Sequence, residues 1–306
     1  MSPGGRADHP DIERLIDQAW RLRHDDTRRA RGMAGRALAM ADQRGDAPGK
    51  AWASLRVAVC DFILAEDTES LERVLWRCVE AMRALDDRPG EAEALNLLGN
   101  VLCSLTRHDE AMVLHRRCEA LRMELGDERG VAGSLNNLAV SLRSLGRHDD
   151  AAAALHDSLR LAAGRGDSVG IAYARVNLGQ VEMKRHCPAA AAREFELAFA
   201  AAARTEDRAL ECSALTGLAN ARLGTGDHAG AREVLAHAQA LAQRTGNVRD
   251  AARVCLAWAR LELAEGRPAA AQPHLQAARQ EAERAQDREL LRELQAVAES
   301  LRPPAA

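Results

Sequence analysis

The chain has 306 residues, 42 Lys+Arg against 45 Asp+Glu, a formal charge of −3 and 47% apolar residues. That apolar share supports a packed core and argues against wholesale disorder. The charge balance lacks the basic surplus of a dedicated nucleic-acid binder. No run of 18 apolar residues free of charge occurs, so no transmembrane span is expected.

The apolar residues are of one kind. There are 63 Ala against three Phe, one Tyr and four Trp. Ala is the best helix former, while the aromatic and β-branched residues that strands favour are scarce. An all-α protein is expected. Among the basic residues only Lys50 and Lys184 are Lys, a pattern read as compositional bias. The seven cysteines, Cys60, Cys78, Cys103, Cys118, Cys187, Cys212 and Cys255, form no C-x-x-C pair. Neither a disulfide framework nor a zinc module is indicated. Free thiols in a reducing cytoplasm are expected.

Met1 to Pro10 has no apolar segment, so no signal peptide is expected there, and residues 1–10 are expected to be disordered. From Asp11 the chain repeats every 40 residues without a gap. The rows are 11–50, 51–90, 91–130, 131–170, 171–210, 211–250 and 251–290. Position 9 is small in most rows: Ala19, Gly99, Ala139, Gly179, Ala219 and Ala259. Position 37 reads Asp87, Asp127, Asp167, Asp207, Asn247 and Asp287 from the second row on.

The spacing predicts two helices per row. The first covers roughly positions 2–15, as in Ala132–Leu145, where Leu135, Leu138, Ala139 and Leu142 share one face. It stops at a left-handed turn position holding Gly146, Gly226 and Gly266. The second helix starts near position 18, where Pro188 and Pro268 suit a first helical turn, and runs to about position 34. The Asp of position 37 then caps the next helix. Row one has Asp25-Asp26 in place of the turn Gly. Row seven has Pro273 inside its second helix, which should bend or shorten it. Asp287–Leu301 reads as a last helix, so 291–306 is assigned to a capping helix and loose tail. One helix pair cannot bury its apolar face alone, so the rows must stack.

Leu95-Asn-Leu-Leu-Gly-Asn100 with Arg107-His-Asp-Glu-Ala111, and Leu135-Asn-Asn-Leu-Ala-Val140 with Leu145-Gly-Arg-His-Asp-Asp-Ala151, resemble tetratricopeptide (TPR) repeats. The long period is similar to the subclass of kinesin light chains, Pins/LGN adaptors and bacterial signalling arrays. The resemblance implies a right-handed α-solenoid of seven helix pairs with a C-terminal capping helix.

No phosphate loop, metal-protease helix or nucleophile elbow is present. Gly224-Thr-Gly226 sits at the turn position. His108, His148 and His228 recur at position 18, about 10 Å apart as helix spacing requires, too far to share a metal. No catalytic set, metal site or cofactor is expected, and the protein is read as no enzyme.

In the family, the first helix of each pair lines a concave groove. By position, its residues here would be those at 3, 6, 7, 10, 13 and 14. Six of the seven asparagines fall there: Asn96, Asn100, Asn136, Asn137, Asn177 and Asn220, with Gln180 beside them. Asn disfavours helix interiors, and its donor and acceptor can pair with an extended peptide backbone. Asn137 and Asn177 border the packed face and suit structural bonds more than Asn96, Asn100, Asn136 and Asn220. Arg56, Arg143 and Arg260 would favour acidic side chains or a carboxylate. The carboxylate-clamp pattern is not met, since Asn96, Tyr173 and Asn177 replace its basic residues. The expected function is a cytoplasmic adaptor binding a peptide or partner segment, with no direct nucleic-acid or membrane partner. The alternative is a regulatory sensor acting on a separate output protein. Homo-oligomerisation is left open.

Overall fold

A computed structural model describes residues 7–23, 26–64, 68–205, 207–285 and 287–300. The expectations placed on residues 1–6, Asp25, Leu301 and the tail to 306 lie outside the described residues. The described residues form fifteen α-helices and no strand. The odd-numbered first helices of each pair are α1 (Pro10–Leu22), α3 (Ala47–Ile63), α5 (Arg88–Ser104), α7 (Glu128–Ser144), α9 (Ser168–Lys184), α11 (Arg208–Gly224) and α13 (Val248–Ala264). The second helices are α2 (Thr27–Arg44), α4 (Thr68–Ala84), α6 (His108–Glu124), α8 (His148–Gly164), α10 (Pro188–Ala202), α12 (His228–Thr245) and α14 (Pro268–Arg284). The fifteenth, α15, spans Arg288–Ser300. They fall into two compact units, one ending at Ser134 and one beginning at Leu135. Within each unit, helix pairs stack on their neighbours as in a TPR-like α-solenoid.

Three expectations are corrected. The first helices begin about one turn earlier than predicted: α7 starts at Glu128, not Ala132. The reason is the cap itself. The carboxylates of Asp87, Asp127, Asp167 and Asp207 accept from the amide three residues on, at 2.8 to 3.0 Å. Helix therefore begins directly after them. Asp287 does the same for Leu290 and sets the start of α15 at Arg288. Residues 7–10 belong to the fold: Ala7 is buried, His9 bonds Asp46 through its amide (3.3 Å) and ring (3.1 Å), and Pro10 opens α1. Pro273 does not shorten α14, which runs its full 17 residues. Its ring lies on the exposed face, where water can serve the carbonyl it leaves free.

Alanine fills the packing positions. Ala111, Ala151, Ala191, Ala231 and Ala271, all at position 21, are fully buried. Larger side chains of α6 and α10 fill the gaps over glycines of the first helices. His115 stands over Gly99, where a Cβ would come within 2.4 Å of its ring. Phe195 stands over both Gly179 and Gly217, where a Cβ would lie 2.7 and 2.3 Å from its ring.

Candidate functional site

Positions 3, 7, 10 and 14 of a first helix are spaced to share one face. On α7, α9 and α11 the burial pattern follows that stripe. On α9 it consists of Tyr173, Asn177, Gln180 and Lys184, all exposed or half-buried. Position 6 lies about 60° off the stripe and turns into the protein. Arg56, Asn136, Val176, Thr216 and Leu256 are all buried there, and only Asn96 is half-buried. Asn136 thus faces the packing more than Asn137 does, the reverse of the expected order.

In the first unit the polar face is built around an arginine. The Arg56 side chain is 1% exposed. Its guanidinium lies 4.1 Å from the Trp20 ring centroid and 4.9 Å from that of Trp52. Both Nη atoms donate to the Glu93 carboxylate, Nη2 at 3.2 Å. Arg23 covers Trp20 as well, at 3.7 Å, and the Trp52 indole donates to Asp87 at 2.6 Å. Two rings and a carboxylate offset the desolvation of this cation. The expectation that Arg56 offers a free charge to a ligand is therefore corrected: it ties α1, α3 and α5 together. Asn96 is engaged within the protein. The Asn100 side chain is half-buried and makes no hydrogen bond to the described residues.

In the second unit the polar residues brace one another from helix to helix. Asn136 donates to the Ser158 hydroxyl at 2.7 Å, and Asn177 donates to the Asn136 carbonyl at 3.3 Å. Arg143 donates to the Gln180 carbonyl. Asn220 donates to the Thr216 carbonyl at 3.1 Å and accepts from Arg260 at 3.4 Å. Arg260 also pairs with Glu293. Arg143 and Arg260, like Arg56, already hold internal partners. A primary amide has two donor hydrogens and two acceptor lone pairs. Asn177, Gln180 and Asn220 each keep part of that capacity while being held in place.

Sequence reasoning missed the surroundings of Tyr173, the only tyrosine. It is 46% exposed on the open stripe. The protein around its phenol pushes the pKa up to about 12, and the carboxylates of Asp207 and Asp250 add to this. Burial lifts Asp250 to about 6; Arg253 opposes that rise, Asp207 adds to it, and Arg249 opposes it. The Asp250 Oδ2 atom is buried without a hydrogen-bond partner. The one available signal was a lone Tyr at position 3 of a stripe otherwise short of aromatics.

Among the described residues no group of three His, Cys, Asp or Glu could hold a metal ion. None of the described helices is long and apolar enough to cross a membrane.

The fold and this face define an α-helical repeat protein. Residues 90–164 match the family model described as Tetratricopeptide repeat. A comparison with curated proteins found no match. Among solved structures, the apo form of RapI superposes with a TM-score of 0.71 at 13% identity, over 89% of this chain and 98% of that one. A Rap protein complexed with competence and sporulation factor gives 0.62 at 13%, over 96% and 99%. NprR in complex with its cognate peptide NprX gives 0.64 at 13%, over 82% and 73%. At such identities the likeness is one of fold: the chain has a TPR-like fold, and residues 90–164 match the TPR family model.

Proposed function

We propose that the protein is a non-enzymatic interaction scaffold that binds an extended peptide or partner segment on the open stripe of its first helices. The observation that carries this reading is the set of amides at positions 7 and 10: Asn100, Asn177, Gln180 and Asn220. Each lies on the open stripe of its own helix, Asn100 in the first unit and the other three in the second, where their neighbours pre-position them with donors and acceptors to spare. Such amides match the alternating N–H and C=O groups of an extended backbone, and holding them in place lowers the cost of binding. NprR, which shares the fold, was solved with a cognate peptide. That likeness favours the regulatory form of the reading, in which the bound segment is a signal and the output lies on another protein.

The test is capture of binding partners by the wild-type chain beside a variant with Asn100, Asn177, Gln180 and Asn220 changed to Ala. Loss of partner peptides at unchanged helicity supports the reading. Identical capture by both proteins overturns it. The acidic preference expected from Arg56, Arg143 and Arg260 has lost its basis, because those cations are engaged internally.

A further inference from the structure

The second helices of the first unit carry charge that the amide stripe does not account for. The tenth residue of each, counted from its own start, is Arg36 on α2, Arg77 on α4 and Arg117 on α6. All three are exposed, and none makes a hydrogen bond or ion pair to the described residues. Arg116 adds a further exposed cation beside Arg117. Composition does not account for this line, although arginine is abundant in the chain. The same place in α8, α10, α12 and α14 holds Asp157, Leu197, His237 and Ala277.

The neighbouring carboxylates are engaged elsewhere. Asp42 pairs with Lys50, Glu72 and Glu110 with Arg107, and Glu124 with Arg88. The excess along the line is therefore positive. On the middle helix Trp76 is 41% exposed, one residue before Arg77. Trp and Arg are the side chains that most often anchor a protein interface. Glu80 stands exposed one turn after Trp76 and interrupts the basic field. A nucleic-acid strand, charged at every residue, would meet Glu80, whereas carboxylates spaced along a protein segment can miss it. Neighbouring helices lie about 10 Å apart, and an extended chain rises about 3.3 Å per residue. Acidic residues three apart on such a chain meet successive helices. Each guanidinium can take a carboxylate through two parallel N–H bonds.

We propose that the outer faces of α2, α4 and α6 dock an extended acidic segment of a partner protein, its carboxylates on Arg36, Arg77 and Arg117 in turn and an apolar side chain on Trp76. This surface lies on other helices than the amide stripe and does not rest on the peptide-binding reading.

The probe is a labelled nonapeptide of Gly and Ser with Glu at its second, fifth and eighth positions and Leu at its sixth. Its comparisons are the same peptide with Gln for Glu, an isomer with the three Glu adjacent, and an oligothymidylate of equal length. Binding to the full chain is followed by fluorescence anisotropy. The spaced peptide should bind about tenfold tighter than the Gln peptide, tighter than the isomer, and more weakly as salt rises. Arg36→Gln, Arg77→Gln and Arg117→Gln combined should remove that preference at unchanged helicity. Trp76→Phe should remove the change in tryptophan fluorescence on binding. The variant with its four stripe amides changed to Ala should bind the spaced peptide as the wild type does. Undiminished binding by the triple-arginine variant overturns the proposal, and so does equal binding of the Glu and Gln peptides. Tighter binding of the oligothymidylate than of the spaced peptide overturns it in favour of a nucleic acid. Loss of binding in the amide variant places the peptide on the stripe and overturns it as well.

Discussion

His115 occupies a position where five of the other six second helices carry Leu75, Leu155, Phe195, Leu235 and Leu275, and α2 carries Gly35. It is fully buried and neither ring nitrogen has a partner. Burial holds its pKa down near 4, and Arg122 adds to the effect. The unfolded chain takes up the proton near 6.5, so it binds more protons than the folded chain between those values. Stability is then fully present above pH 6.5 and falls as pH drops toward 4, by about 3 kcal/mol. His115→Leu should flatten that limb, which urea melts at pH 7.5 and 4.5 will read.

Asp250 has the opposite sign. Its folded pKa near 6 lies above the unfolded value of 3.8, so its cost appears as pH rises through that window. Asp250→Asn should raise the melting temperature at pH 7.5 and change it little at pH 4. A variant equally stabilised at both values rules the ionised carboxylate out as the cause.

At the scale of the element, the turns between helices show where sequence and geometry disagree. Gly146, Gly226 and Gly266 take φ of 75, 81 and 73° at the end of a first helix. Thr106 and His186 hold the same place at 63 and 59°. A β-branched residue in the left-handed region is strained. Thr106→Gly should gain about 0.5 kcal/mol after the extra chain entropy of Gly is counted, and Gly146→Thr should lose more than that in a parallel melt.

Helix contacts make a harsher demand. Gly217→Ala pushes a Cβ to 2.3 Å from Phe195, a clash worth about 2 kcal/mol. Phe195→Leu in the same chain should relieve part of it. Additive losses in the double-mutant cycle would falsify the proposed contact. These elements were legible in advance because their residues recur: the Asp of position 37, the small residue of position 9, the Ala of position 21. The face was less legible. Asn136 and Asn137 are adjacent and chemically identical, yet one is buried on Ser158 and the other half-buried. A rotation of some 100° per residue separates them, and only packing fixes its phase. Arg56 read as a free cation because nothing in the sequence places Trp20 and Glu93 beside it.

For the whole molecule, repetition means that each helix pair depends on its neighbours, and the open edges need closing. α15 closes one: Leu290 and Leu294 are buried, while Arg292, Glu293, Gln295 and Glu299 face outward. The alanine positions have a further consequence. An alanine loses no rotamers on folding and hides little apolar surface when it is buried. The heat capacity of unfolding follows that surface, about 12–15 cal/mol/K per residue in ordinary domains. Calorimetry on this chain should return a value below that range. A smaller heat capacity makes the stability curve shallower, so cooling and warming away from the optimum both cost the protein less than they cost a domain of equal size packed with leucine and phenylalanine.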